Sequence, residues 1–320
     1  MKIAFRVDGN KILGLGHVKR CISIANYLKN KKIQCFFITQ FKQTKKLLES
    51  KGFVVFLIDK QNEYLQINQI LTKESCSKLV IDSKRKSIKY LLKAVNKKFK
   101  IILIDNHSDD ADLVIFSSLK NSEKIYPKNS LVGPKYILHG IEKLPSQIIE
   151  KDNSILLTMG GSDKNNISKN LVNSFCKSDL SFNLVIVLGE YYNDEKNLLK
   201  IINNDSRFRI IKSPSSLSSL MQKASVGIVS FGITVYEAAI CQLPLFVISH
   251  SNENDLAAKF VENFGWISYI GKYNEIKYDE IPKMLLNLIK NKNKLQKMIQ
   301  SCKQIDGLGP SNVATSIINL

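Results

Sequence analysis

Three glycine-containing loops carry the side chains whose types and spacing could do chemistry. The first runs from Asp8 to His17, with Gly14 and Gly16 shortly before the histidine. Glycines let a backbone approach a ligand closely. The positive end of a helix disfavours a charged imidazole, and a neutral imidazole can take a proton from water or a hydroxyl. His17 is therefore a candidate general base; the competing interpretation is a structural histidine at a helix start.

The second loop, Met159–Asp163, lies between a predicted strand and a predicted helix. The backbone N–H groups of Gly160, Gly161 and Ser162 could contact a phosphate. A tight turn in which Ser162 or Asp163 caps the helix would need the same residue types. Both interpretations can hold together.

The third loop, Ser230–Glu237, again joins a predicted strand to a predicted helix. In a functional interpretation, Gly232, Ile233 and Thr234 meet a diphosphate at the helix N-terminus, and Glu237 accepts hydrogen bonds from a ribose diol. The T-x-x-E spacing of Thr234 and Glu237 is also that of a capping box, which is the structural alternative.

Short apolar strands alternate with helices along the chain, which predicts parallel sheets joined by right-handed crossovers. The predicted strands are Lys2–Val7, Gln34–Thr39, Phe53–Ile58, Lys78–Asp82, Lys100–Ile104, Leu113–Phe116, Ser154–Met159, Asn183–Leu188, Phe208–Ile211, Val226–Val229 and Leu245–Ile248. Helices are predicted after His17 and Asp163, at Thr44–Ser50, Ile88–Asn96, Glu195–Ile202, Ser215–Gln222, Ile233–Cys241 and Glu253–Phe264, and in the tail from Ile281 to Asn319.

A polar, aperiodic stretch after Gly140 predicts a domain boundary. We expect an N-terminal Rossmann-like domain over 1–140, a linker over 141–153, a C-terminal Rossmann-like domain over 154–302, and a final helix within 303–320 that packs back on the first domain. Open α/β sheets bind ligands at the carboxyl ends of their strands, so ligands are expected in a cleft between the two domains.

Composition excludes several classes of protein. With 320 residues, 44% of them apolar, the chain can build sizeable cores and is not a disordered protein. Six scattered cysteines without a C-x-x-C pair give no support to a zinc or redox motif, and they predict reduced, buried thiols. No metal and no cofactor are expected.

The net charge of +19 invites a nucleic-acid interpretation, but only five of the 47 basic residues are Arg. Specific readers of nucleic acids rely on Arg for bidentate contacts, so nucleic-acid binding is disfavoured. No apolar run approaches the ~18 residues of a membrane span, and the N-terminus lacks a secretory apolar region. A cytoplasmic protein is expected; the sequence leaves its oligomeric state open.

Three motifs together resemble a family of sugar-nucleotide enzymes with the GT-B fold. They are the N-terminal pattern from Phe5 to Arg20, the MGGSD run at 159–163, and G-x-T-x-x-E from Gly232 followed by Leu243-Pro244. The combination is most similar to the UDP-2,4-diacetamido-2,4,6-trideoxy-β-L-altropyranose hydrolases of pseudaminic acid biosynthesis. That family is related to the UDP-N-acetylglucosamine transferase of peptidoglycan synthesis.

The resemblance implies a role for each matching residue. His17 would be the catalytic base, and Asp8, Gly14, Gly16, Arg20 and Asn254 would surround the sugar. Gly160, Gly161, Ser162, Gly232, Ile233, Thr234 and Glu237 would bind UDP, with backbone near Ile211 meeting the uracil ring. The chain departs from the family at Glu253, where Asn is usual, and at 136–142, where the family's arginine is missing.

The function implied is hydrolysis of a UDP-linked diacetamido-trideoxy sugar to free sugar and UDP, with inversion at the anomeric carbon. The first alternative is an inverting glycosyltransferase that moves a UDP-linked amino-sugar onto an acceptor hydroxyl, since the same histidine could activate either nucleophile. A non-catalytic nucleotide-sugar binder is a further alternative, and it would have no need of His17.

Overall fold

A computed structural model describes residues 1–11, 13–83, 95, 98–119, 126–146, 149–178, 183–214 and 216–320. Its contacts divide the chain into two compact units. The first combines Met1–Glu142 with Gly307–Leu320, and the second is Lys143–Asp306. The predicted helix Ile88–Asn96 lies outside the described residues except for Val95.

The first unit is built on a parallel sheet whose described strands run in the order β3-β2-β1-β4-β5-β6-β7. These strands are β1 (Lys2–Val7), β2 (Gln34–Thr39), β3 (Val54–Leu57), β4 (Lys78–Asp82), β5 (Lys100–Ile104), β6 (Leu113–Ile115) and β7 (Ser130–Leu131). The described helices of this unit are α1 (Gly16–Asn30), α2 (Lys42–Ser50), α3 (Glu63–Lys73) and the last helix of the chain.

The second unit has a parallel sheet with the strand order β10-β9-β8-β11-β12-β13. Its strands are β8 (Ser154–Thr158), β9 (Asn183–Leu188), β10 (Phe208–Lys212), β11 (Val226–Ser230), β12 (Leu245–Ser249) and β13 (Ile267–Lys272). Its described helices are α4 (Ile167–Cys176), α5 (Glu195–Ile202), α6 (Leu217–Lys223), α7 (Ile233–Ile240), α8 (Asn252–Glu262), α9 (Ile281–Lys290) and α10 (Lys292–Cys302).

The central strands are buried on both faces, as expected for parallel sheets covered by helices. Every residue of β4, β8 and β12 is buried. In the first unit, apolar residues of α1 share one core with Val313 and Ile317 of the last helix, while Ile67 and Leu71 of α3 lie in a second core. This layered packing fixes the carboxyl ends of the strands, where the candidate residues lie.

The last helix, α11 (Gly309–Asn319), packs within the first unit against α1 and the 3-10 turn Pro134–Tyr136. Its approach is very close at Gly309, where a Cβ would collide with the carbonyl oxygen of Ile137. The buried His139 lies beside this contact, with its Nε2 2.9 Å from the carbonyl oxygen of Gly307. A glycine at position 309 is thus required by packing.

Three elements were not predicted, and each has a weak apolar pattern. α3 buries only Ile67 and Leu71, β7 has two half-buried residues, and β13 is mostly half-buried.

The six cysteines are free, as predicted, and burial raises the pKa of Cys241 and Cys302 to about 12. Within the described residues, none of the helices combines the length and apolar character needed to cross a membrane.

Candidate active site

The strand order of each sheet reverses direction at one point, and open α/β sheets bind ligands at such a switch. In the first unit β1 and β4 are neighbours, and in the second unit β8 and β11 are neighbours. The first predicted loop follows β1, and the other two follow β8 and β11. All three motifs of the sequence therefore lie at switch points.

The loop after β1 is a tight turn that delivers His17 to the start of a helix. The N–H of Gly14 donates to the carbonyl of Asn10 at 2.8 Å, and Gly14 has a φ of 73°, which favours glycine. At Gly9 a side chain is excluded for a different reason, since a Cβ there would lie 2.7 Å from Val18 Cγ2. The loop packs closely on α1, which begins at Gly16.

His17 is bonded to a buried carboxylate. Its Nδ1 lies 2.7 Å from Asp82 Oδ1, and Asp82 ends β4 with a side chain only 1% exposed. Arg20 Nη2 also lies 3.0 Å from this Nδ1, but the shorter bond is to an ionised carboxylate, which can only accept. We therefore assign the ring proton to Nδ1 and the lone pair to Nε2, which makes the approach of Arg20 a contact and not a hydrogen bond. The His17 side chain itself is 18% exposed, so the ring is partly open to solvent. An oriented histidine of this kind can act as a general base.

Arg20, one turn further along α1, binds the same carboxylate. Its Nε donates to Asp82 Oδ2 and its Nη2 to Asp82 Oδ1, both at 2.6 Å. Burial alone would raise the pKa of Asp82, but the charge of Arg20 and the contact with His17 hold that pKa well below its usual range. Asp82 is therefore ionised at neutral pH.

The guanidinium of Arg20 also reaches beyond β4. Its Nη1 donates to Asp105 Oδ2 at 2.7 Å and to Ser117 Oγ at 2.5 Å. Asp105 follows β5 and Ser117 follows β6, so the ends of three neighbouring strands, β4, β5 and β6, join α1 in one polar network. Sequence reasoning missed Asp82 and Asp105. Each follows an apolar strand in a parallel sheet, and that position was the available signal.

Asp8 and Arg20, which the sequence predicts to contact substrate, are both buried and bonded to side chains of the first unit. Arg20 is buried by the network above, and Asp8 is 5% exposed. Asp8 accepts bonds from Arg6 Nη2 at 2.8 Å and from Thr39 Oγ1 at 3.0 Å. These bonds connect the loop after β1 to β2 and connect α1 to β4, and they help to position the segment that carries His17.

In the second unit, the loop after β8 is held by backbone contacts. Gly160 has a φ of 81°, and the carbonyl of Gly161 accepts from the N–H of Tyr191 at 2.9 Å. Gly160 and Gly161 are exposed and Ser162 is half-buried. Their accessibility leaves the loop free to meet a ligand.

Asp163 satisfies the N-terminus of α4, although the residue in the N-cap position is Asn166 and not Ser162 or Asp163, as the capping alternative had it. Its two carboxylate oxygens accept from the N–H groups of Ile167 at 3.0 Å and Ser168 at 2.8 Å. Burial raises the pKa of Asp163 in spite of these bonds. The positive end of α4 is thus already occupied by a side chain of the protein.

The N-terminus of α7 differs, and the predicted capping box is wrong. The helix is preceded by Gly232 and no side chain caps it. Thr234 is its second residue and Glu237 its fifth, so neither stands where a capping box requires it. Gly232, Ile233 and Thr234 are only half-buried, which leaves N–H groups at the helix start open to an anion.

Asn254 of α8 is placed beside this turn. Its Nδ2 donates to the carbonyl of Phe231 at 3.0 Å and lies 3.2 Å from His250 Nε2. Glu237 is buried on α7, three residues after Thr234, which puts the two on one side of the helix. Ile211 lies apart from these residues, half-buried in the edge strand β10.

Apart from Ile211, the predicted UDP residues of the second unit lie at the ends of the neighbouring strands β8 and β11. Ser230 Oγ lies near Gly160, 3.7 Å from where its Cβ would be, and this links the loops after β8 and β11. The described residues contain no group of three or more His, Cys, Asp or Glu side chains that could hold a metal ion.

No protein-family model matches the chain. Two curated relatives match by sequence. An uncharacterized protein of Methanocaldococcus jannaschii is 28% identical over 282 residues, which span 79% of this chain and 56% of that protein. The spore coat polysaccharide biosynthesis protein SpsG of Bacillus subtilis is 24% identical over 274 residues, 81% of this chain and 80% of its own length. The chain thus spans little more than half of the archaeal relative.

Solved structures resemble the whole chain. MurG of Acinetobacter baumannii has a TM-score of 0.74 at 12% identity and covers 100% of this chain and 99% of its own. The calicheamicin glycosyltransferase CalG4 has a TM-score of 0.68 at 12% identity over 99% of this chain and 97% of its own. Anabaena HepE in complex with UDP has a TM-score of 0.65 at 12% identity and covers both chains fully. Together with the two parallel-sheet units, these similarities show that the chain has the GT-B fold that its sequence predicts.

Proposed function

We propose that this chain is an inverting glycosyltransferase that moves a sugar from UDP to an acceptor hydroxyl. The observation that carries the base chemistry is the bond between His17 Nδ1 and the buried, ionised Asp82, because it orients an imidazole at a topological switch point. The preference for an acceptor hydroxyl over water is supported by the similarity to a solved glycosyltransferase. The similarity to a glycosyltransferase and to a UDP complex supports the donor class. The similarity to a polysaccharide biosynthesis protein supports a saccharide product.

In the proposed reaction, Nε2 of His17 takes the proton of the acceptor hydroxyl. The acceptor oxygen attacks the anomeric carbon from the face opposite UDP, and the bond between that carbon and the diphosphate oxygen breaks. The configuration at the anomeric carbon inverts. UDP departs with the electron pair. General-base assistance of this kind contributes ~10²–10⁴-fold to rate.

The second unit, taken over 154–302 as the sequence predicts, would bind the UDP portion. The uncapped start of α7 supports a diphosphate contact at Gly232, Ile233 and Thr234. Glu237 would accept from the ribose hydroxyls, and Asn254 would meet the sugar or the phosphate. The remaining proposed UDP residues are Gly160, Gly161, Ser162 and, through its backbone, Ile211.

Hydrolysis is the second candidate, with water in place of the acceptor hydroxyl. It is favoured by the N-terminal motif from Phe5 to Arg20, which resembles the hydrolases of pseudaminic acid biosynthesis. The same histidine serves both reactions, so geometry at His17 does not separate them.

UDP release from a panel of UDP-amino-sugars, measured with and without acceptor saccharides, tests both candidates. The panel includes UDP-N-acetylglucosamine and the 2,4-diacetamido-2,4,6-trideoxy sugar. Release that requires an acceptor and is lost in His17→Gln supports the transferase. Release that needs no acceptor but depends on His17 supports the hydrolase. Unchanged release in His17→Gln would overturn the proposed mechanism.

A further inference from the structure

Arg20 joins two carboxylates, and only one of them touches His17. Asp82 binds both His17 and Arg20, whereas Asp105 binds Arg20 through a 2.7 Å contact on the guanidinium's other side. We infer that Asp105 is a positioning residue, which balances the charge of Arg20 so that the charge of Asp82 remains available to a protonated His17. The inference rests on the proposed function of His17 as a base.

The charge balance of the cluster supports this role. With a neutral imidazole, the two carboxylates and the guanidinium sum to one negative charge. When His17 takes a proton from the acceptor, the sum becomes zero. Without Asp105, the same proton transfer would take the cluster from zero to one positive charge inside a largely buried region. The outer carboxylate therefore favours the protonated base that the reaction creates.

Asp105 is held in place by hydrogen bonds to a buried residue, which an exposed surface carboxylate would lack. Its Oδ1 accepts from the N–H of Ser117 at 2.9 Å, and its Oδ2 accepts from the Ser117 hydroxyl at 2.7 Å. Ser117 is buried, and Asp105 adopts a φ of 55° in the left-handed region. Backbone conformations of this kind cost free energy and cluster at functional sites.

The groups that face His17 come from several elements. Arg20 and Cys21 of α1, Asp82 of β4, and Asp105 after β5 are the charged or titratable members in contact with the network. Burial raises the pKa of the Cys21 thiol far above its ordinary value, so Cys21 remains neutral. The charged groups that interact with a protonated His17 are thus the two carboxylates and Arg20.

Asp105→Asn is the test variant, because Asn keeps the size of Asp and tolerates the left-handed backbone. We expect kcat for UDP release to fall about ten-fold, with the acid limb of the pH–rate profile moved to lower pH by about half a unit or more, since an imidazolium with less negative charge nearby is a stronger acid. KM for the UDP-sugar stays within about two-fold, because Asp105 is assigned no substrate contact.

Asp110→Asn is the matched control. Asp110 is exposed in the same loop after β5, so the variant removes an equal charge from the same unit. It should keep the wild-type profile. Ser117→Ala, which removes one donor to Asp105, should show a smaller effect in the same direction. A wild-type kcat and pH profile in Asp105→Asn would overturn the inference, as would equal shifts in Asp110→Asn.

An NMR titration separates this inference from the proposed function. The chain has four histidines, so the imidazole signal of His17 is assignable by comparison with His17→Gln. In Asp105→Asn the titration midpoint of His17 should move to lower pH. An unmoved midpoint overturns the inference without reference to catalysis. If the midpoint moves but no UDP-sugar is cleaved by the wild type, the positioning role stands and the proposed function fails.

Discussion

His17 differs from the buried His139 of the same unit in the partners of its ring nitrogens. The Nδ1 of His139 accepts from the N–H of Ile141 at 3.1 Å, and its Nε2 lies 2.9 Å from the carbonyl of Gly307. Both nitrogens of His139 are occupied by the fold, which suits a structural residue. His17 bonds Asp82 through Nδ1, and the proposed reaction uses its Nε2. Residue type alone could not distinguish the two, because the difference lies in their partners.

Asp82→Asn should destabilise the protein in a pH-dependent way. The variant leaves Arg20 buried with one carboxylate fewer, and breaking a buried ion pair costs about 3–5 kcal/mol. The native pKa of Asp82 lies below that of an unfolded aspartate, ~3.9, so its ionised form favours the native state. This contribution is present above about pH 4 and is lost as the pH falls toward the native pKa.

Urea unfolding followed by circular dichroism at pH 7 and pH 3.5 measures this effect. We expect the difference in free energy of unfolding between wild type and Asp82→Asn to be larger at pH 7. A difference that is unchanged or larger at pH 3.5 would contradict the assignment of an ionised Asp82.

Glu237→Gln should weaken UDP binding with little change in stability. A hydrogen bond to a charged acceptor contributes about 1.5–3 kcal/mol, so the Kd for UDP should rise about ten-fold or more. Isothermal titration calorimetry measures it. Glu275→Gln is a suitable control, because Glu275 is exposed on the same unit in an ion pair with Lys272. An equal Kd in Glu237→Gln and wild type would argue against a ribose contact.

At the scale of elements, the two candidate anion sites of the second unit are unequal because of one side chain. Asp163 satisfies the first N–H groups of α4, whereas α7 begins without a side-chain cap. A helix start that carries its own carboxylate has less to offer an added phosphate. The start of α7 is therefore the better place for the diphosphate of the proposed donor, with the loop of Gly160 and Gly161 beside it.

Asp163→Ala should lower the stability of the second unit by about 0.5–2 kcal/mol, the usual cost of losing a helix cap. Trp266 is the single tryptophan, and it is fully buried in this unit, so its fluorescence in a urea titration reports the change. Asp163→Asn retains one acceptor and should lose less. Equal stability in Asp163→Ala and wild type would contradict the capping role.

The sequence predicted most strands well because buried parallel strands are short continuous apolar runs. β1, β2, β4, β5 and β9 begin and end where the sequence predicts. α3 was missed because only Ile67 and Leu71 mark its buried face, which is too little for a period to be seen. β13 was missed because most of it is half-buried and Gly271 interrupts it.

The candidate site was predicted unevenly for a related reason. Glycine loops and His17 are visible as local patterns. Asp82 comes next to His17, and Asp105 next to Arg20, only because β4 and β5 follow β1 across the sheet. Strand order is not a local property of the sequence. The same limit explains why the sequence did not predict the burial of Arg20 between two carboxylates. A charged residue on a helix face gives no sign that two carboxylates from distant segments will enclose it.

At the scale of the whole molecule, the second unit is one continuous segment with its own core. That core extends from Ile155 to Met298 and draws on α4, α5 and α9 and on several strands. A protein consisting of residues 143–306 should therefore fold on its own and bind UDP with a Kd within about ten-fold of the full chain. Calorimetry with UDP and the fluorescence of Trp266 check both points. Loss of UDP binding in a folded fragment would place essential nucleotide contacts in the first unit.

The first unit, in contrast, is made from two separate stretches of chain that meet beside His139 and Gly307. The points where the polypeptide leaves this unit and returns to it are therefore fixed near each other by a hydrogen bond and by the tight packing at Gly309. The second unit, Lys143–Asp306, lies between these two fixed points and can be replaced as a whole without changing the first unit. Under the proposed function, replacement of one uninterrupted stretch of the gene would change the sugar nucleotide that is bound, while His17, Asp82, Asp105 and the final helix keep their positions.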